Sequence, residues 1–128
     1  DGLRLRDAYI TAAVRCAPPG NKPLPEERAR CRRFLERELA LLPNVRAVLA
    51  LGKIAFDTYL ELLKDSGQIT SRAPYVFAHG ASYQLPRPLP RLFASYHPSQ
   101  QNTFTGKLTP GMMDTLFRRI RRFLDAGG

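Results

Sequence analysis

Apolar residues recur along the chain in two different rhythms, one short and continuous, the other spaced by three and four. Residues 8–16, AYITAAVRC, are apolar and β-branched over a short run, which predicts a buried strand. APPGNKPLP ends it, because proline and glycine exclude continued regular structure and leave a long polar turn over 17–25. PEERARCRRFLERELALLP then opens with Pro25 and two acids in its first turn. It carries Phe34, Leu35, Leu39 and Leu42 at helical spacing and stops at Pro43, so a helix is expected over about 25–42. VRAVLALG, 45–52, reads as a second buried strand whose glycine leads straight into KIAFDTYLELLKDSG, a second helix with Ile54, Tyr59, Leu62 and Leu63 on its apolar side. PYVFAHGASYQLP, 74–86, reads as a short β pair around Gly80, and RLFASYHP, 91–98, as a third buried strand. The last helix starts near Pro110, uses Met113, Leu116, Phe117, Ile120 and Leu124 as its core stripe and ends before two glycines.

Strand alternating with helix implies an α/β fold: a parallel central sheet flanked by helices, joined by right-handed crossovers. In such sheets ligands bind beyond the carboxyl ends of the strands. Segments 17–25 and 97–107 both follow strand ends, so they are expected to share one face, and that face is the candidate site.

Charge narrows the partner. With 128 residues, 44% of them hydrophobic, the chain amounts to one domain with a real core. Its formal net charge of +9 favours a polyanion, nucleic acid before an anionic membrane surface. No apolar run is long enough to span a bilayer, and no basic helix shows the Trp- or Phe-rich face of an interfacial anchor. The chain opens on Asp1 with no leader-like run, as expected of a processed, trimmed or partial sequence.

Four kinds of residue carry candidate chemistry. Cys16 and Cys31 are the only cysteines. Their spacing fits two separate core thiols, a disulfide ranks lower in a basic chain of cytosolic character, and a metal cluster needs two more ligands from elsewhere. His79, beside a glycine, reads as structural or solvated. His97 ends a buried strand, Pro98 fixes the backbone after it, and Ser99 adds a hydroxyl at the same rim. An imidazole there can donate to an anionic oxygen while Ser99 holds a phosphate. The Arg118, Arg119, Arg121 and Arg122 run reads as a solvated helix face.

AYITAAVRCAPPGNKPLPEERARCRRFL, VLALGKIAF and ASYHPSQQNTFTGKLTP, in that order, resemble the last two thirds of family 5 (B-type) uracil-DNA glycosylases, the iron–sulfur enzymes of bacteria and archaea. The resemblance covers essentially all of 1–128. It implies a uracil-DNA glycosylase-like α/β fold and excision of uracil and other deaminated bases from double-stranded DNA by cleavage of the N-glycosidic bond. It also implies a [4Fe–4S] cluster with Cys16 and Cys31 as two ligands and two further cysteines outside this sequence. A water-positioning motif and a base-stacking aromatic are likewise expected upstream. A monomer acting at the nucleoid in the cytoplasm follows from the same likeness. Ala12 stands where family 4 has Asn, which favours family 5 and its broader range of bases. Within that reading His97 is the catalytic donor to the base carbonyl oxygen, and Asn21 binds the base or the attacking water. Ser99, Lys107 and Lys22 meet phosphates. Gln100, Gln101 and Asn102 enter the minor groove toward the widowed partner base, with Phe104 as a wedge. The competing readings are a family 4 enzyme confined to uracil and a basic nucleic-acid-binding module without catalysis.

Overall fold

A computed structural model of the chain describes residues 8–11, 25–41, 45–96 and 109–126. Within them the order is β1 (Ala8–Thr11), α1 (Pro25–Ala40), β2 (Ala47–Leu51), α2 (Lys53–Asp65), β3 (Ser82–Tyr83), β4 (Arg91–Ser95) and α3 (Pro110–Asp125). The strands form one sheet in the order β1-β2-β4-β3. β1, β2 and β4 are parallel and β3 is antiparallel to β4. The α/β architecture with a parallel centre is the one the hydrophobic pattern predicts.

β2 explains why the sheet is parallel and central. All five of its residues are buried, and they divide by the two-residue period of a strand. Val48 and Ala50 join Leu92 and Ala94 of β4 in a core completed by Ala55, Phe56, Tyr59, Leu60 and Leu63 of α2. Ala47, Leu49 and Leu51 face the other way, with Phe93, onto Leu116, Ile120 and Leu124 of α3. Helices therefore cover both faces, and a polar residue at any β2 position would be desolvated without a partner. α1 packs outside α2: Cys31 and Leu35 meet Ile54 in a third, smaller cluster.

The helix ends follow the expected chemistry. The Thr109 hydroxyl accepts the Met112 N–H at 3.2 Å, and Pro110 fills the first turn of α3, where no intrahelical donor is needed. Gly52 caps α2 at φ 94°, a left-handed conformation that a side chain would strain, which lets the chain reverse from strand to helix in one residue. Across α1 and α2, Glu61 is shared by Arg28 at 2.9 Å and Arg72 at 3.7 Å, and Arg32 meets Asp65 at 2.7 Å. These pairs are solvent-exposed and each contributes little, but they leave Glu61 and Asp65 occupied.

Two details differ from the sequence reading. Residues 74–79 form no strand with 82–83; instead Ser82 and Tyr83 pair with Phe93 and Leu92 of β4. The β pair is thus made with a distant strand, because Arg91–Ser95 offers a free ladder edge and a local hairpin does not compete. α2 is also apolar on more than one side, since it lies between the sheet and α1.

Phe56 is fully buried, with edge-on contact to Phe77 at 5.5 Å. Phe56→Ala is expected to lower unfolding free energy by about 3–5 kcal/mol. Leu41→Ala, at a position 74% exposed, should stay within about 0.5 kcal/mol. Urea midpoints at constant m-value check both.

Candidate nucleic-acid and catalytic edge

Parallel pairing puts the carboxyl ends of three strands on one edge. The register sets Thr11 of β1 beside Ala50 of β2, and Leu51 of β2 beside Ser95 of β4. β1 and β4 therefore end on either side of β2, about 10 Å apart at ordinary strand spacing. The chain leaves β1 toward 12–24 and leaves β4 toward 97–108. Cys16, Asn21, Lys22, His97, Ser99, Gln100, Gln101, Asn102, Phe104 and Lys107 all belong to those two segments and lie outside the described residues. Their roots, Thr11 and Tyr96, do not.

Tyr96 is the last described residue before His97, and it is held three ways. Its N–H donates to His79 Nδ1 at 3.1 Å. Its carbonyl accepts from the buried Ser95 hydroxyl at 2.8 Å, which also lies 3.2 Å from Met113 Sδ of α3. Its ring stacks on the His79 imidazole, centroids 5.1 Å apart and planes 29° apart, with Phe77 at 6.3 Å on the tilt.

The neighbouring backbone is stitched to the same strand end. The Gly52 N–H donates to the Ser95 carbonyl at 2.7 Å, tying the β2–α2 turn to β4. The Gly80 N–H donates to the Ala94 carbonyl at 2.8 Å, while the Gly80 carbonyl accepts from Arg119 Nη1 at 2.8 Å. Gly80 adopts φ 81°, and a Cβ there would come within 3.4 Å of Arg119 Nη1. A left-handed residue is thus needed where one residue donates its N–H to β4 and offers its carbonyl to α3. Between this turn and the start of α3 lies an open groove of about 550 Å³, lined by His79, Gly80, Thr109, Gly111, Met112 and Arg119 among others.

Burial holds the His79 imidazole below its ordinary value of 6.5; a backbone hydrogen bond with Met112 opposes this, and the nearby Arg119 charge adds to it. His79 is therefore more than a solvated turn residue, and Arg119 is more than part of a solvated helix face. The signal for His79 was its place before a glycine; its partner, 17 residues away, is not visible in sequence. Arg118 does behave as read, pairing within its own helix with Asp114 at 2.8 Å.

Cys31 is 2% exposed on the inward side of α1. It is disulfide-bonded, and Cys16 lies outside the described residues. This differs from the expectation of two separate thiols, although Cys31 is also buried against Leu35 and Ile54 as a packing group would be. Among the described residues no group of three or more His, Cys, Asp or Glu converges as a metal site. No helix among them is long and apolar enough to cross a membrane.

The family profile described as uracil DNA glycosylase superfamily matches residues 1–121. A protein of Thermus thermophilus named type-5 uracil-DNA glycosylase is 51% identical over 95% of this chain and 53% of its own length. One of Mycobacterium bovis with the same name is 46% identical over 95% of this chain and 44% of its own length. A type-4 uracil-DNA glycosylase of Archaeoglobus fulgidus is 35% identical over 77% and 48%. The chain spans about half the length of the curated relatives it matches.

A histidine whose value is lowered in the native state costs stability as it is forced to charge. The unfolded chain takes up the proton first as pH falls through 6.5, so stability is full above that value and is lost as pH drops toward the lower native value. The urea midpoint should fall between about pH 7.5 and pH 5.5. His79→Asn should show a shallower fall over the same range, with His97 present in both proteins.

Proposed function

The chain belongs to the uracil DNA glycosylase superfamily, and from that premise we propose that it carries the base-reading and leaving-group side of a type-5 uracil-DNA glycosylase. The observation that supports this best is the shared edge: the segments bearing Asn21 and His97 start from strands that flank β2 in fixed register. Higher identity to type-5 than to type-4 relatives supports the broader class, as does Ala12 in place of the amide.

The reaction needs a base outside the stack. Flipping costs a few kcal/mol, least for a mispaired base, which favours uracil opposite guanine. Water then bonds to the sugar C1′ and gives up a proton. The C1′–N1 electrons leave with the base, whose negative charge spreads onto its carbonyl oxygen. His97 donates a hydrogen bond to that oxygen and so stabilises charge that exists only as the bond breaks. Asn21 hydrogen-bonds the base or the water from the facing segment. Ser99, Lys107 and Lys22 anchor phosphates around the flipped nucleotide. Gln100, Gln101 and Asn102 fill the vacated position from the minor groove, with Phe104 as a wedge. The enzyme works as a monomer on chromosomal DNA.

The cysteines fit half of a cluster site. Cys31 is buried and its sulfur is disulfide-bonded, so that bond must be reduced before its thiolate could join a [4Fe–4S] cluster, which takes four thiolates. Cys16 and Cys31 would supply two and the longer protein the others. When bound, the cluster would tie the start of the 12–24 segment to α1 through iron–thiolate bonds.

Full-length protein should release base from duplexes containing uracil opposite guanine, and also hypoxanthine or xanthine. Release from uracil alone would assign it to type 4, and no release with duplex binding indifferent to uracil would leave only a binding module. His97→Ala should lower the single-turnover rate roughly 10²- to 10³-fold while duplex affinity changes far less. Anaerobically purified full-length protein should be brown and contain iron and acid-labile sulfide, and Cys31→Ser should lose both. Colourless, iron-free wild-type protein would overturn the cluster.

A further inference from the structure

None of the roles above uses His79, yet it both hydrogen-bonds and stacks on Tyr96 at the strand end. The Tyr96 peptide lies one residue past β4. The neighbouring turns take the Ser95 and Ala94 carbonyls, so the ladder is finished before the Tyr96 N–H, which donates to His79 Nδ1 instead. An accepting Nδ1 places the proton of a neutral imidazole on Nε2. The same ring lies flat against the Tyr96 ring, so one side chain fixes both the peptide plane and the side-chain rotamer of Tyr96. The loop carrying His79 is itself anchored at Gly80 to β4 and to Arg119 of α3.

From these contacts we infer that His79 is a positioning residue: it holds the Tyr96 peptide and so sets the direction in which the segment beginning at His97 leaves the sheet. The inference deepens the proposed function and rests on its assignment of His97. A displacement of about 1 Å at a reacting group can cost on the order of 10² in rate, and Tyr96 is one peptide away from that group. The hydrogen bond needs an acceptor and the stacking needs a flat ring, two requirements that different substitutions separate. Protonated His79 would turn a donor toward a donor, so the arrangement requires the neutral form. Arg119, the charged group facing it from α3, favours that form.

The test uses full-length protein with His79→Phe, which keeps a ring and removes the acceptor, and His79→Asn, which keeps an acceptor and removes the ring. His79→Phe should speed amide hydrogen exchange at Tyr96 and through 97–108. It should slow single-turnover uracil release roughly tenfold or more, with duplex affinity within about twofold. His79→Asn should keep the protection and recover most of the rate. Unchanged exchange in His79→Phe overturns the inference. So does a rate loss equal in both variants, or one that follows their melting temperatures. If wild-type protein releases no uracil, the functional reading fails instead, and exchange at Tyr96 and 97–108 alone decides whether His79 positions the segment.

Discussion

β2 is apolar on both faces, and the rest of the structure is arranged around satisfying that. A strand with Val48 and Ala50 on one side and Ala47, Leu49 and Leu51 on the other is stable only between two helical layers. α2 supplies one layer and α3 the other. β1 and β4 are then the strands that close its two hydrogen-bonding edges. Because both run parallel to β2, both must deliver their following segments to the same end of the sheet.

Polar groups at that end are satisfied by backbone and side chains drawn from far along the chain. Gly52, the adjacent His79 and Gly80, Ser95 and Arg119 come from four separate stretches, and each bonds at or beside the end of β4. The strand end is therefore held by several modest hydrogen bonds in a partly dry setting, where each donor left without an acceptor would cost about 1–3 kcal/mol. The surface of α1 and α2 is organised differently, through exposed arginine–carboxylate pairs that add little to stability. Cohesion at the strand end thus comes from hydrogen bonds, most of them between neutral groups, and from packing.

Much of this was legible from periodicity. α1, α2, α3 and the three parallel strands follow from proline stops, caps and apolar spacing, and Leu116, Ile120 and Leu124 are buried as their stripe implies. What could not be read were pairings across distance. Residues 74–86 look like a hairpin because Gly80 offers a turn, but strand partners are chosen by the open edge of β4. His79 reads as structural or solvated, and its structural partners stay hidden because neither Tyr96 nor Arg119 is near it in sequence. Cys31 looks like packing because spacing alone does not say which way α1 turns its sulfur. The polar segments 17–25 and 97–107 stood out by composition, and the register supplies the fact that composition lacked, namely that their roots are neighbours across one strand.

That neighbourhood has a further meaning for how such a protein can change. The separation between Thr11 and Tyr96 is a property of interstrand hydrogen-bond length, not of any side chain in the two segments they launch. Substitutions, insertions or deletions beyond those roots can change the chemistry of the two segments without moving the attachment points. The segments and the sheet are in this way specified by separate parts of the chain, so the segments can vary while the sheet stays as it is.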